Sequence, residues 1–303
     1  MAHIYIFSPS SAVRDKASFR RGLKRLRSQG HQVEVDEAAL ASHMRFAGDD
    51  EQRIAAIGRA SASGADVALI SRGGYGLTRI LPVLPYKAIA KAIDKGTQFV
   101  GLSDFTAFNQ AVFSKTGRIT WQGPALGADF GTLTEPDDIM QACFDDLWME
   151  QGEGTGWQLP KSESDAHVMV KDATLWGGNL TVLTSLLGTP YFPQVKGGVL
   201  FLEDVGEHPY RIERMLTQLL HAGVLAQQKA VLLGQFNSYK LVPTHDKGFK
   251  LSTVVSWLRS HIKAPVLMGL PFGHVATKVL LPIGAKVDLV AEKRDALLVW
   301  GHI

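Results

Sequence analysis

A single cysteine, Cys143, leaves this 303-residue chain without the means for an intrachain disulfide or a cysteine-rich zinc site. Its surroundings, DDIMQACFDDLWME, have a helical apolar pattern, and a small buried thiol fits there better than a reactive one. Charge of one sign is also scarce: 32 Lys and Arg against 29 Asp and Glu leave a net +3. The one basic cluster, FRRGLKRLRSQ (19–29), carries Phe19, Leu23 and Leu26 at helical spacing, which describes an amphipathic helix with a solvated basic face and gives no reason to expect nucleic acid as a partner. No apolar stretch is long enough to span a bilayer. The beginning MAHIYIFSPS passes straight into a strand pattern, without a basic n-region or an apolar h-region. These features lead us to expect a cytoplasmic protein that does not engage membranes.

The composition is otherwise ordinary for a globular protein, 46% hydrophobic and 20% charged, and the length suits two domains or one large one. Strand and helix patterns alternate through the first half. HIYIFSP reads as a strand, 15–29 as a helix stopped by Gly30, HQVEV as a strand, and a helix begins near Asp50. DVALIS (66–71), TQFVGL and RITWQG continue the strands, so the expected class is α/β with a mostly parallel N-terminal sheet flanked by helices. The stretch 152–166, GEGTGWQLPKSESDA, shows no period and reads as a linker between an N-terminal domain (1–151) and a C-terminal one (167–303). The second half reads as mixed α/β. GGVLFLEDV, KAVLLGQF and APVLMGL are apolar strands, and a β-rich tail has a hairpin expected around the charged EKRD.

Sites in open α/β sheets form beyond the carboxyl ends of strands. Four strands here end in polar or glycine-rich chemistry: Arg72-Gly73-Gly74-Tyr75-Gly76 after DVALIS, Ser103 after FVGL, Glu203 and Asp204 after VLFL, and His274 after VLMGLPFG. Each has a plain reading. Ser103 can cap a helix, the glycines can make a tight turn, Glu203 can cap the next helix, and His274 can be an ordinary surface residue in a loop. The RGGYG run lacks the G-x-x-x-x-G-K-[ST] and G-x-G-x-x-G spacings of phosphate loops. Ser103 has the strand-to-helix setting of a nucleophile elbow but not its fifth-position glycine, because Phe105 stands there.

Five longer blocks carry a resemblance. SRGGYGLTRIL (71–81), GLSDFTAF (101–108), WGGNLTVLTSLLGTP (176–190), LFLEDVGEHPYRIERML (200–216) and LPFGHVATKVLLPIGA (270–285) are similar to the signature blocks of the LD-carboxypeptidase family, serine peptidases of the murein tetrapeptide carboxypeptidase type. The resemblance spans nearly the whole chain and implies two domains with the nucleophile in the first and its partners in the second. It implies Ser103 as nucleophile, Glu203 as orienting acid and His274 as general base, with the N–H groups of Gly74 and Asp104 forming an oxyanion hole. It further implies a murein tetrapeptide substrate that loses its terminal D-alanine during peptidoglycan recycling, no metal or other cofactor, and a homodimer. Arg72 is a candidate for holding the substrate carboxylate, and Trp176 and Asn179 are candidates for lining the cleft. The pattern departs from relatives at Leu102, Phe105 and WQGP (121–124), neighbours of the site, so it speaks more to reaction type than to fine specificity. Two other functions share these residues. One is hydrolysis of acylated antibiotic nucleotides for self-immunity, within the same family; the other is ligand binding without catalysis.

Overall fold

A computed structural model describes all of residues 1–303. In chain order the strands are β1 (His3–Phe7), β2 (Gln32–Val35), β3 (Val67–Ile70), β4 (Gln98–Gly101), β5 (Thr120–Gln122) and β6 (Gly154–Gln158). They continue as β7 (Ala166–Asn179), β8 (Val199–Val205), β9 (Ala230–Asn237), β10 (Val266–Met268), β11 (Leu281–Ile283), β12 (Lys286–Lys293) and β13 (Asp295–Val299). The chain divides into two compact units. Unit 1 holds Met1–Gly152, Gly188–Pro193 and Ala276–Gly284; unit 2 holds Glu153–Leu187, Gln194–Val275 and Ala285–Ile303.

The unit 1 sheet runs β11-β5-β4-β3-β1-β2, parallel throughout except where β11 joins β5 antiparallel. Its central strand β3 is buried at all four positions, which is why VALI reads as an unbroken apolar run. Helices cover both faces, as the parallel order requires. Phe7, Phe99, Phe105 and Phe108 pack together, with Phe105 stacked on Phe108 at 4.5 Å between ring centres. Phe105 begins the helix Phe105–Thr116 and is fully buried. Burial of such a ring stabilises by about 1.5–3 kcal/mol, and it locks the turn between β4 and that helix.

The unit 2 sheet runs β10-β9-β8-β7-β12-β13-β6 and is mixed. The first four strands are parallel and the last four antiparallel, sharing β7. The hairpin around EKRD is present, with Glu292 opposite Asp295. The segment 152–166 differs from a bare linker. Gly154–Gln158 pairs with β13, and Trp157 is buried with its indole N–H donating to the Met268 carbonyl. Glycine spacing hid this strand's alternation, because only Trp157 among its five residues is apolar and large. No helix is long and apolar enough to cross a membrane.

Candidate active site

Ser103 sits in the left-handed region, with φ 65°, between the end of β4 and the helix Phe105–Thr116. A non-glycine residue there stores strain of about 1–3 kcal/mol and is held only when its surroundings demand it. Here the burial of Phe105 on one side and of β4 on the other supplies the demand. The capping reading of Ser103 does not hold, since Asp104 occupies the N-cap position and no side chain caps the helix. The Ser103 hydroxyl makes no hydrogen bond within its unit. Gly73 packs directly on it: a Cβ at Gly73 would lie 2.6 Å from the Ser103 Cβ and 3.0 Å from the Leu102 carbonyl. Only glycine allows that approach.

The N–H groups of Gly74 and Asp104 have no acceptor within unit 1, while the loop around them is firmly held. Tyr75 N–H donates to Ser11 Oγ at 3.0 Å, and the Asp104 carboxylate accepts from Leu77 N–H at 2.9 Å and from the Ser10 hydroxyl. Burial pushes the Asp104 carboxyl above its ordinary pKa of 3.8, against those hydrogen bonds. Arg72 is half-buried and makes no ion pair. One of its terminal nitrogens donates to the Ala12 carbonyl at 3.1 Å, and the other would be 3.4 Å from a Cβ at Gly74. Burial lowers its pKa, and the guanidinium groups of Arg14 and Arg45 lower it further.

Unit 2 gathers the second set. His274 Nδ1 lies 2.8 Å from Glu203 Oε2, and Glu203 is fully buried on β8. Asn179, opposite Glu203 in the β7–β8 register, donates its amide to Glu203 Oε1 at 3.1 Å and to Asp204 Oδ1 at 3.0 Å. A buried carboxylate therefore has partners on both oxygens, which its burial requires. With Nδ1–H donated to a carboxylate, Nε2 of His274 is the ring's acceptor, and it is not bonded within the unit. The β8–β9 register shifts at this point, placing Gly234 and Gln235 against Glu203. Gln235 N–H then binds the Phe272 carbonyl at 2.8 Å, and Asn237 binds the His274 carbonyl at 2.9 Å. Gly273, at φ 141°, is required beside them, because a Cβ would stand 3.3 Å from Glu203 Oε2.

Glu203 and His274 thus meet in unit 2, and Ser103, Gly74, Asp104 and Arg72 cluster in unit 1. Trp176 is fully buried with its indole N–H bonded to Gln228 Oε1 at 2.9 Å, so it packs the core of unit 2 and presents no surface to a ligand. Asn179 is an orienting partner of carboxylates and the N-cap of the helix Leu180–Ser185, where its side chain accepts from Val182 N–H. Its cap position was the readable signal. Asp204 is held by Thr181 and Val205 N–H, and burial raises its pKa. Cys143 is half-buried and its thiol is pushed up by burial. No group of three His, Cys, Asp or Glu side chains converges as a metal site.

The sequence matches the LD-carboxypeptidase N-terminal domain over residues 4–123 and the LD-carboxypeptidase C-terminal domain over residues 172–289. The chain belongs to the LD-carboxypeptidase family. This is a family of peptidases, and the present member is 31% identical over 281 residues to a probable murein peptide carboxypeptidase of Bacillus subtilis, covering 91% of this chain and 85% of that protein. The crystal structure of muramoyltetrapeptide carboxypeptidase from Oxalobacter formigenes is 38% identical with a TM-score of 0.87, covering 99% of this chain and 98% of that one. A further relative is the microcin C7 self-immunity protein MccF of Escherichia coli, 27% identical over 248 residues, 74% of this chain and 70% of that protein. The family fold found here, two α/β units with helix-flanked sheets, agrees with the Oxalobacter structure.

Proposed function

We propose that this protein is a serine L,D-carboxypeptidase that removes the terminal D-alanine of a murein tetrapeptide, through a Ser103–His274–Glu203 triad. The observation that carries the reading is the 2.8 Å bond between a fully buried Glu203 and His274, which leaves Nε2 as a base. Nε2 takes the Ser103 proton as Oγ attacks the carbonyl carbon of the L,D bond. The developing oxyanion is received by the N–H groups of Gly74 and Asp104, each donor contributing on the order of a hundred- to a thousandfold in rate. His274 then protonates the departing D-alanine nitrogen, and Glu203 stabilises the imidazolium meanwhile. Water, activated by the same imidazole, releases the acyl group from Ser103. Arg72 holds the terminal carboxylate, since its guanidinium lies beside Gly74 and has no acid of its own.

The names of the Bacillus and Oxalobacter relatives support the murein substrate. The setting we infer is peptidoglycan recycling in the cytoplasm, by a homodimer. The test is incubation with a free murein tetrapeptide and mass detection of D-alanine. Release by the wild type and none by Ser103→Ala supports the reading, and equal release by both refutes the triad. The MccF relative favours one second reading, hydrolysis of an acylated nucleotide. A wild type inert toward the tetrapeptide but active on an aminoacyl sulfamoyl nucleoside would establish it instead.

A further inference from the structure

Lys278 and Asp129 form an ion pair inside unit 1, at 2% and 5% exposure, and no step of the reaction just described uses them. A buried ion pair is a poor stabiliser, because desolvation offsets most of the attraction. Its occurrence therefore asks what it positions. Asp129 lies on a π-helical turn, Leu126–Phe130, whose other contacts are specific. Its second carboxylate oxygen accepts from Ala125 N–H at 2.8 Å. In the same turn Gly127 N–H donates to the Ser71 carbonyl at 3.0 Å, and the Ser18 hydroxyl donates to the Gly127 carbonyl. Ser71 directly precedes Arg72 and the glycine loop. The turn is thus tied to the strand end that delivers the oxyanion donor Gly74. π-helical turns of this kind recur at functional sites.

On the other side of the pair, Lys278 follows His274 by four residues. The segment Ala276–Gly284 belongs to unit 1, while His274 belongs to unit 2. Thr277 is fastened as well, its hydroxyl donating to Asp137 Oδ2, and a few residues later β11 pairs with β5. Three residues reach at most about 11 Å when fully extended, so wherever Thr277 and Lys278 are held, His274 is kept within a short tether. The chain leaves the base and enters the nucleophile's unit through this one fastened stretch.

We infer that Lys278 and Asp129, with Thr277 and Asp137 as an outer tie, are positioning residues for His274, fixing the chain just after the general base to the turn that also steadies the oxyanion loop. The inference rests on the triad reading. The pair acts through geometry alone and contributes no proton to the reaction. Its removal should therefore lower turnover and leave ground-state binding nearly intact, because a small misplacement of a base weakens the transition state most.

The experiment uses the full-length double variant Lys278→Met/Asp129→Leu, which deletes both buried charges together and leaves neither alone in the core. Melting temperature, kcat and KM for the tetrapeptide, and the rate of Ser103 labelling by a fluorophosphonate are measured side by side. The expected result is a folded protein with kcat lowered roughly ten- to a hundredfold, KM within about threefold of wild type, and labelling slowed in step with kcat. Wild-type kcat and labelling in a folded double variant would overturn the inference. Should the double variant not fold, Thr277→Val serves, since it cuts the outer tie and leaves the Asp137 cap of the helix Asp138–Met149 in place. A kcat lowered about two- to fivefold at unchanged KM supports positioning, and an unchanged kcat overturns it. Ser103→Ala run in the same assay separates the two claims. If it is inactive while the double variant is fully active, the anchor fails and the triad reading stands. If it is active, the triad reading fails first.

Discussion

His274 Nδ1 and Asn179 Nδ2 approach Glu203 from different oxygens, at 2.8 Å and 3.1 Å, so the carboxylate has one acceptor atom for each. That division makes Glu203→Gln informative. The glutamine oxygen must face the Asn179 NH2 group, which can only donate and whose own oxygen is held by Val182 N–H, and the glutamine NH2 then faces His274 Nδ1. The imidazole is driven to the tautomer with its proton on Nε2 and can no longer accept one from Ser103. If the proposed triad operates, kcat should fall on the order of ten-thousandfold, the effect of a wrong histidine tautomer in a serine-protease triad, with little change in melting temperature. Steady-state kinetics and a thermal melt check this, and a Gln variant with more than a tenth of wild-type kcat would contradict it.

Ser103 carries a second prediction, because the residue we propose as nucleophile also has a strained φ of 65°. Ser103→Ala and Ser103→Gly both remove the proposed nucleophile and should both be inactive. They should differ in stability. Glycine adopts positive φ without the Cβ clash and also frees the space beside Gly73, which alanine does not. Urea unfolding should find the Gly variant more stable than the Ala variant by about 1 kcal/mol, after the greater chain entropy of glycine is counted. Equal stabilities would mean that the turn is not strained.

The parallel core was legible because buried strands such as VALI need no alternation, and the strand ends marked Ser103, Glu203 and His274 as candidates by position. What one sequence hides is any relation between distant segments. Asn179 looked like a cleft residue because nothing local says that it stands opposite Glu203 in register. Trp176 looked equally available until its burial was seen. β6 escaped notice because three of the first four residues of GTGWQ are small or flexible, and its partner β13 lies far along the chain. Lys278 and Asp129 are 149 residues apart, and no periodicity connects them. The resemblance supplied what pattern could not, the expectation that Ser103, Glu203 and His274 act together, of which the structure joins Glu203 and His274.

Asp104 gives a pH prediction. Burial raises its folded-state pKa above 3.8, so the folded protein binds a proton more tightly than the unfolded chain does. Its contribution to stability is complete below pH 3.8 and is lost as pH rises from there through the raised folded value. Asp104→Asn removes this loss and keeps the backbone N–H that we propose as an oxyanion donor. The melting temperature of the variant, relative to wild type, should therefore become more favourable between about pH 4 and pH 7. A difference that stays constant over that range would show that Asp104 titrates normally.

Arg72 tests the carboxypeptidase reading through the substrate rather than the protein. A guanidinium that is half-buried, bonded only to the Ala12 carbonyl and crowded by Arg14 and Arg45 is short of negative charge. A terminal carboxylate would relieve that shortage; a terminal carboxamide would not. Wild type should prefer the free-acid tetrapeptide over its amide by roughly ten- to a hundredfold in kcat/KM, the range of a hydrogen bond to a charged group. Arg72→Gln should lose activity on the acid and little on the amide, collapsing the preference toward one. Arg72→Lys should recover only part of it, since an ammonium cannot make the paired contact. If Arg72→Gln slows both substrates equally, the side chain supports the glycine loop and the carboxylate is held elsewhere. Raising salt should weaken the preference only slightly, because a half-buried charge is screened less than a surface one.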